Sequence, residues 1–104
     1  MLGENAITLN DLIDCPGALK VLMALTEVDQ TYQFQLTRMT GHHSRTLNTA
    51  LNLLMKAKLV RIVPGKARIR NVGDFYALTT HGRIVAKCLL DLQESLKSAP
   101  NSKD

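Results

Sequence analysis

The first part of the chain carries apolar residues at the three- and four-residue spacing of amphipathic helices. This pattern predicts three helices, over residues 8–14, about 16–28 and 33–40. Their expected apolar contacts are Leu9, Leu12, Ile13, Leu19, Leu22, Leu25, Phe34, Leu36 and Met39. Pro16 fits the first turn of the second helix, where its missing N–H is harmless. Residues 1–7 are expected to form a loose arm.

A glycine turn separates the third helix from a fourth. Gly41 can adopt a positive φ without a steric penalty, so it predicts a tight turn. Ser44 is a good N-cap for the helix that follows, and His43 could share that role. This helix is predicted over residues 44–57, with the core-facing residues Leu47, Ala50, Leu51 and Leu54. The order helix, short turn, helix is that of a helix-turn-helix.

β-branched residues replace the helical pattern after the fourth helix. Residues 59–63 predict a strand, which ends at the Pro-Gly pair of residues 64–65. A turn at residues 73–74 precedes a returning strand at residues 75–78. The pattern leaves open whether residues 66–71 pair as a strand or form an irregular loop.

A last helix closes the chain. Thr79 or Thr80 is expected to cap it, and it should run to about residue 98. The fold class predicted from these elements is α+β: a mostly helical winged helix-turn-helix with a small antiparallel wing of two or three strands. The chain is expected to form one domain, with a winged-helix core at 8–78, a C-terminal helix at 79–98 and a flexible tail at 99–104.

The polar side of the fourth helix carries the residue types that read DNA bases. Arg can donate two hydrogen bonds to guanine, Asn can bond adenine twice, and Thr offers a hydroxyl and a methyl group. Asn and Thr are weak helix formers, so their concentration on one exposed face points to a function. The predicted DNA-reading residues are His43, Ser44, Arg45, Thr46, Asn48, Thr49 and Asn52. The alternative is a solvated face that merely tolerates weak helix formers.

Positive charge is concentrated in the middle of the chain. Residues 41–87 carry nine Lys and Arg residues against Asp74 alone, whereas residues 1–40 and the end of the chain are net acidic. Such a distribution predicts one surface that binds a polyanion. The predicted wing contacts with phosphates or the minor groove are Lys66, Arg68 and Arg70, which alternate with apolar residues. Lys56 and Lys58 are interpreted as a solvated helix end.

The sequence favours no other class of function. It lacks C-x-x-C and H-x-x-x-H pairs, so neither a metal site nor a cofactor is expected. It also lacks G-x-S-x-G and P-loop motifs, so we expect no enzyme. Cys15 and Cys88 are interpreted as buried thiols rather than a disulfide. No apolar run approaches the ~18 residues of a membrane span, and a cytoplasmic location is expected.

Two stretches resemble winged helix-turn-helix transcription regulators of the group that holds the MarR, ArsR and PadR families: LTRMTGHHSRTLNTALNLLMKAKLVRIV and the closing YALTTHGR. The resemblance covers about residues 8–97. It implies that the fourth helix reads DNA, that residues 66–70 form the wing, and that Leu47 and Leu54 occupy core positions. Lys58 stands where these families often have glycine, and Thr37 where alanine is frequent. These departures prevent assignment to one family.

The resemblance also implies a homodimer. An apolar stripe on the last helix gives an independent reason, and its members are the predicted dimer contacts Val85, Leu89, Leu92 and Leu96. The alternative is that the stripe packs within its own subunit. A two-fold dimer would bind double-stranded DNA with an inverted repeat. The expected function is a sequence-specific regulator, most often a repressor; a winged-helix protein-interaction subunit and a chromatin-architectural nucleic-acid binder are the alternatives.

Overall fold

A computed structural model describes residues 6–63 and 74–98. The elements follow in the order α1 Leu9–Asp14, α2 Ala18–Ala24, a 3₁₀ turn at Leu25–Glu27, β1 Thr31–Tyr32, α3 Gln33–Thr40, α4 Ser44–Lys56, β2 Val60–Ile62, β3 Phe75–Leu78 and α5 Thr80–Lys97. The predicted α+β winged-helix class is confirmed. No helix in the described ranges is both long and apolar enough to cross a membrane.

A capping box sets the start of α1, and a glycine with a positive φ sets the start of α2. Thr8 caps α1 in a reciprocal capping box with Asp11, which satisfies two backbone N–H groups of the first turn. The prediction that Pro16 lies in the first turn of α2 is wrong. The N-cap of α2 is Gly17, with φ 85°, and the helix begins at Ala18. The chain therefore turns sharply at Gly17, a conformation that favours glycine.

The helix-turn-helix consists of α3, the turn at residues 41–43, and α4. Gly41 has φ 82°, so the predicted glycine turn is confirmed. The N-cap of α4 is His43 rather than Ser44, since Ser44 already has helical geometry. The His43 side chain makes no capping hydrogen bond, and its carbonyl instead accepts the first helical bond from Leu47 N–H.

The sheet is antiparallel, with the strand order β1-β3-β2. The pairs Val60–Leu78 and Ile62–Tyr76 join β2 to β3, as expected for a wing. No sequence pattern predicted β1, which has only two residues. It pairs Thr31 with Tyr76, so that the start of α3 is attached to the middle of β3.

The core lies between α2, α4 and the inner side of the sheet. Its largest fully buried side chains are Val21, Leu22, Leu25, Leu36, Leu47, Leu51 and Leu54. Several residues expected to face the core lie in solvent instead: Leu9, Ile13 and Phe34 are exposed, and only Leu12 of α1 is buried. The thiol of Cys15 is half-buried and that of Cys88 is exposed, so the prediction of two buried thiols is wrong.

Thr79 links the wing strands to α5. Its hydroxyl donates to the carbonyl of Lys58 at 2.8 Å and accepts from Gly82 N–H at 2.8 Å, which confirms Thr79 as the N-cap. Lys58 has φ 64°, and among the described residues it is the only non-glycine with a positive φ. This geometry explains why glycine suits the position in similar sequences.

Candidate nucleic-acid interface

The candidate recognition helix α4 has one buried face and one exposed face. Leu47, Ala50, Leu51 and Leu54 are completely or almost completely buried, as predicted. The predicted reading residues His43, Ser44, Arg45, Asn48, Thr49 and Asn52 are all exposed, and Thr46 is half-buried. Because the leucines fix the rotation of the helix, Arg45, Asn48 and Asn52 must point away from the core.

The exposed face offers donors and acceptors in a form that suits base edges. The Thr49 hydroxyl donates to the Arg45 carbonyl at 3.3 Å, which leaves its oxygen lone pairs and its methyl group on the outside. The amides of Asn48 and Asn52 lie four residues apart, one helical turn along the same face. Each can present a donor and an acceptor side by side, the pattern that matches adenine in the major groove.

Hydrogen bonds hold the two helices of the motif together. The Gln33 amide in the first turn of α3 donates to the Ser44 carbonyl at 3.0 Å. In the turn, His42 N–H donates to the Thr40 hydroxyl at 3.2 Å, and that hydroxyl donates to the Leu36 carbonyl. The first turn of α4 is therefore held against α3, which limits the freedom of the reading face.

The adjacent histidines have different surroundings. The His42 ring is half-buried and packs over Gly17, where an added Cβ would lie 3.2 Å from the ring. His43 is exposed at the start of α4. Of the two, His43 is therefore the one placed to approach a phosphate, and its contact with DNA stays a prediction.

No acidic residue lies close to α4 in the sequence. Residues 30–73 contain no Asp or Glu, although Asp29 and Asp74 border them directly. Lys56 is exposed, four residues beyond Asn52 on the same side of α4, and Arg61 is exposed on β2. Lys56 therefore continues the exposed face of α4 beyond Asn52, and its interpretation as a solvated helix end stays a prediction.

The wing contacts lie outside the described residues. Lys66, Arg68 and Arg70 fall within residues 64–73, which connect β2 to β3. The last bond described before this segment runs from Val63 N–H to the Phe75 carbonyl at 2.9 Å. The contribution of Lys66, Arg68 and Arg70 to DNA binding stays a prediction.

The last helix leaves apolar side chains in solvent. Val85 and Leu89 are half-buried and pack partly against the core of their own chain, whereas Leu92 is 58% and Leu96 70% exposed. Ile84 and Cys88 precede Leu92 and Leu96 at four-residue intervals and are also exposed. We call the exposed set Ile84, Cys88, Leu92 and Leu96 the α5 stripe.

The described residues contain no group of three or more His, Cys, Asp or Glu side chains that could hold a metal ion.

The exposure of Phe34 was not predicted from the sequence, which assigned this residue to the core. Phe34 is two positions from Leu36, a spacing that places the two on different sides of a helix. That spacing was the available signal.

Solved structures share this fold. A possible HxlR family transcriptional factor from Thermoplasma volcanium aligns with a TM-score of 0.69 at 18% identity over 86% of this chain and 79% of its own. The reduced form of MarR from E. coli aligns with a TM-score of 0.69 at 21% identity over 89% of this chain and 71% of its own.

A third structure with this fold is longer than the present chain. The MarR family transcriptional regulator from Silicibacter pomeroyi aligns with a TM-score of 0.67 at 20% identity over 78% of this chain. This chain covers only 55% of that protein. A scan against models of protein families found no match, and a search of the curated proteins found none either.

The arrangement of α3, α4 and the β2–β3 pair, together with these structures, defines the chain as a winged helix-turn-helix protein.

Proposed function

We propose that this protein is a sequence-specific regulator of transcription that binds double-stranded DNA through α4. The observation that carries the proposal is the exposed face of α4, on which Arg45, Asn48 and Asn52 lie opposite four buried core residues. A helix of thirteen residues is about 20 Å long, and the major groove is about 12 Å wide, so α4 can lie in it.

Charge supports the same function. Residues 30–73 carry cations without any acidic side chain, a composition that favours approach to the phosphate backbone. Lys66, Arg68 and Arg70 would add phosphate or minor-groove contacts beside the base contacts of α4. Phosphate contacts position a protein on DNA, whereas base contacts specify the sequence.

We further propose that the protein acts as a homodimer through the α5 stripe. Single leucines as exposed as Leu92 and Leu96 are common on protein surfaces. An apolar stripe that extends over three helical turns instead favours contact with a helix of a partner subunit. A two-fold dimer would place two copies of α4 about 34 Å apart, in successive major grooves, and would select an inverted repeat. Such a dimer bound over a promoter would repress by excluding polymerase.

A gel-shift experiment on the DNA upstream of the protein's own coding region tests this function. The protein should shift that DNA in the presence of excess unrelated competitor, and the affinity should fall steeply with salt. Asn48→Ala should remove the preference for the specific duplex, and Asn10→Ala in α1 serves as a matched control far from α4 in sequence. Shifts that are equally strong on every duplex would favour an architectural nucleic-acid binder, and no salt-sensitive shift at all would favour a protein-interaction subunit.

A further inference from the structure

An aromatic ring and a guanidinium group stand together on the outer side of α3. The guanidinium carbon of Arg38 lies 5.8 Å from the centre of the Phe34 ring, and the two residues are one helical turn apart. Phe34 is 61% exposed, although phenylalanine usually lies in the core. A cation above an aromatic face is an attractive arrangement, worth about 0.5–1 kcal/mol at an exposed site. We call these two residues the Phe34–Arg38 pair.

The pair belongs to the helix that is bonded to the start of the recognition helix. Gln33, which directly precedes Phe34, donates to the Ser44 carbonyl at 3.0 Å, so the first turns of α3 and α4 are adjacent. The Thr37 hydroxyl donates to the Phe34 carbonyl within α3. In a helix-turn-helix the recognition helix lies in the major groove while the preceding helix crosses the sugar–phosphate backbone. In that arrangement the DNA backbone would pass over α3, the helix that carries Phe34 and Arg38.

The charges on α3 and α4 themselves suit a phosphate, although Glu27 lies beside Met39 and Thr40 at the end of α3. No Asp or Glu occurs in residues 30–73, and the described ion pair Lys87–Asp91 belongs to α5. The Arg38 guanidinium lies over the Phe34 ring and can still donate N–H groups to a phosphate.

We propose that the Phe34–Arg38 pair clamps the DNA backbone beside the groove that α4 occupies. This inference rests on the proposed DNA-binding function. Arg38 donates to phosphate oxygens, and the Phe34 ring packs against the apolar face of the neighbouring deoxyribose. Because the contact with the Phe34 ring already restricts Arg38, less side-chain entropy is lost when Arg38 binds the phosphate. The clamp adds affinity and fixes register without reading sequence.

The test uses Arg38→Gln and Phe34→Ala in the full chain, with Lys97→Gln at the end of α5 as the control that removes an exposed cation outside residues 41–87. Binding is measured by fluorescence anisotropy on the upstream duplex and on an unrelated duplex, over a range of salt concentrations. Arg38→Gln should weaken binding roughly three- to tenfold on both duplexes and reduce the salt slope by about 0.9, the loss of one phosphate contact. Phe34→Ala should weaken both about threefold with less change in slope, and Lys97→Gln should match the wild type. Thermal unfolding confirms that each variant is folded.

Ethylation of single phosphates gives a second readout. At the clamped phosphate, ethylation should weaken the wild type but make no further difference to Arg38→Gln. If Arg45→Ala weakens specific binding while Arg38→Gln and Phe34→Ala bind like the wild type, the clamp is wrong and the proposed function stands. If the wild type shows no salt-dependent DNA binding, both are wrong. Loss of transcriptional regulation with unchanged DNA affinity would also overturn the clamp and assign the pair to a protein contact.

Discussion

Gly82 in the first turn of α5 packs directly on the backbone of Leu59. A Cβ added at Gly82 would overlap the Leu59 carbonyl oxygen and lie 2.9 Å from its carbonyl carbon. The same carbonyl accepts a hydrogen bond from Thr79 N–H at 3.0 Å, so it cannot move away without breaking that bond. The closing motif of Leu78, Thr79 and Gly82 therefore has a structural purpose: it joins the start of β2 to the start of α5.

Gly82→Ala should lower the free energy of unfolding by about 3 kcal/mol or more, because backbone atoms must shift to admit the methyl group. Urea unfolding followed by circular dichroism measures the change. Gly41→Ala is the matched control: its φ is 82°, but nothing lies within 4 Å of an added Cβ, so only the conformational cost of about 1–2 kcal/mol applies. Equal losses for the two variants would contradict the steric explanation.

Lys58→Gly should stabilise the protein by roughly 0.5–1 kcal/mol. The reason is the φ of 64° at Lys58, which costs a residue with a Cβ more than it costs glycine. Lys58→Ala keeps the Cβ and removes the charge, so its stability should stay within about 0.5 kcal/mol of the wild type. A gain for Lys58→Ala as large as that for Lys58→Gly would assign the effect to the charge instead.

Asn48→Ala should change thermal stability and DNA recognition in opposite directions. Asn48 is exposed in the middle of α4, where alanine is the better helix former by about 0.5 kcal/mol, so thermal stability should rise slightly. Binding to the specific duplex should weaken by about 1–3 kcal/mol while binding to unrelated DNA changes little. Arg68→Ala, in the predicted wing, should instead weaken both and flatten the salt slope. A uniform loss on all sequences for Asn48→Ala would remove its proposed reading role.

Leu92→Lys or Leu96→Lys should convert the proposed dimer to monomers, because each would place a charge in the apolar contact between two α5 stripes. Sedimentation equilibrium measures the mass across a range of protein concentrations. Gln93→Lys, an exposed neighbour outside the α5 stripe, is the control and should remain dimeric. A wild type that sediments as a monomer at every concentration would rule out this interface.

The free energy of unfolding should fall at alkaline pH because of the ionisation of Tyr76. Burial, and to a lesser extent the negative charge of Asp74, raises the pKa of Tyr76 above its ordinary value of about 10. Below pH 10 the group is protonated in both states and its contribution is constant. As the pH rises above 10, the unfolded chain ionises first, so the free energy of unfolding falls until Tyr76 also ionises in the folded state.

Tyr76→Phe should reduce this alkaline loss, measured as the free energy of unfolding between about pH 9 and 12. A pH profile unchanged by Tyr76→Phe would show that other groups cause the loss.

Local patterns predicted α4 and its neighbours well. The spacing of Leu47, Leu51 and Leu54 fixed both the helix and its buried side, because an α-helix returns to the same face every three or four residues. The cap of α5 was narrowed to Thr79 or Thr80 for a similar reason, since capping involves atoms only a few residues apart, and the structure shows that it is Thr79. The exposure of Arg45, Asn48 and Asn52 followed directly from the buried positions.

Other features depend on contacts between residues distant in sequence. A two-residue strand such as β1 has no period to detect, and it exists because Thr31 meets Tyr76. Leu9 and Phe34 look like core residues from their chemistry, but whether an apolar side chain is buried depends on a neighbour that covers it. The last helix is another case. Its sequence predicted an apolar stripe of Val85, Leu89, Leu92 and Leu96, and only the packing showed that Val85 and Leu89 partly contact their own core whereas Leu92 and Leu96 are exposed.

The sequence by itself determined the helices, the glycine turn, the buried side of α4 and the positive charge of residues 41–87. These depend on backbone periodicity and on the residues present, both of which are local. Tertiary structure decided the attachment of α3 to the sheet through Thr31, the bond between Gln33 and Ser44, the close approach of Gly82 to Leu59, and the exposure of Phe34 beside Arg38. Each of these requires two segments to be brought together in space, and the energy of that contact is not contained in either segment alone.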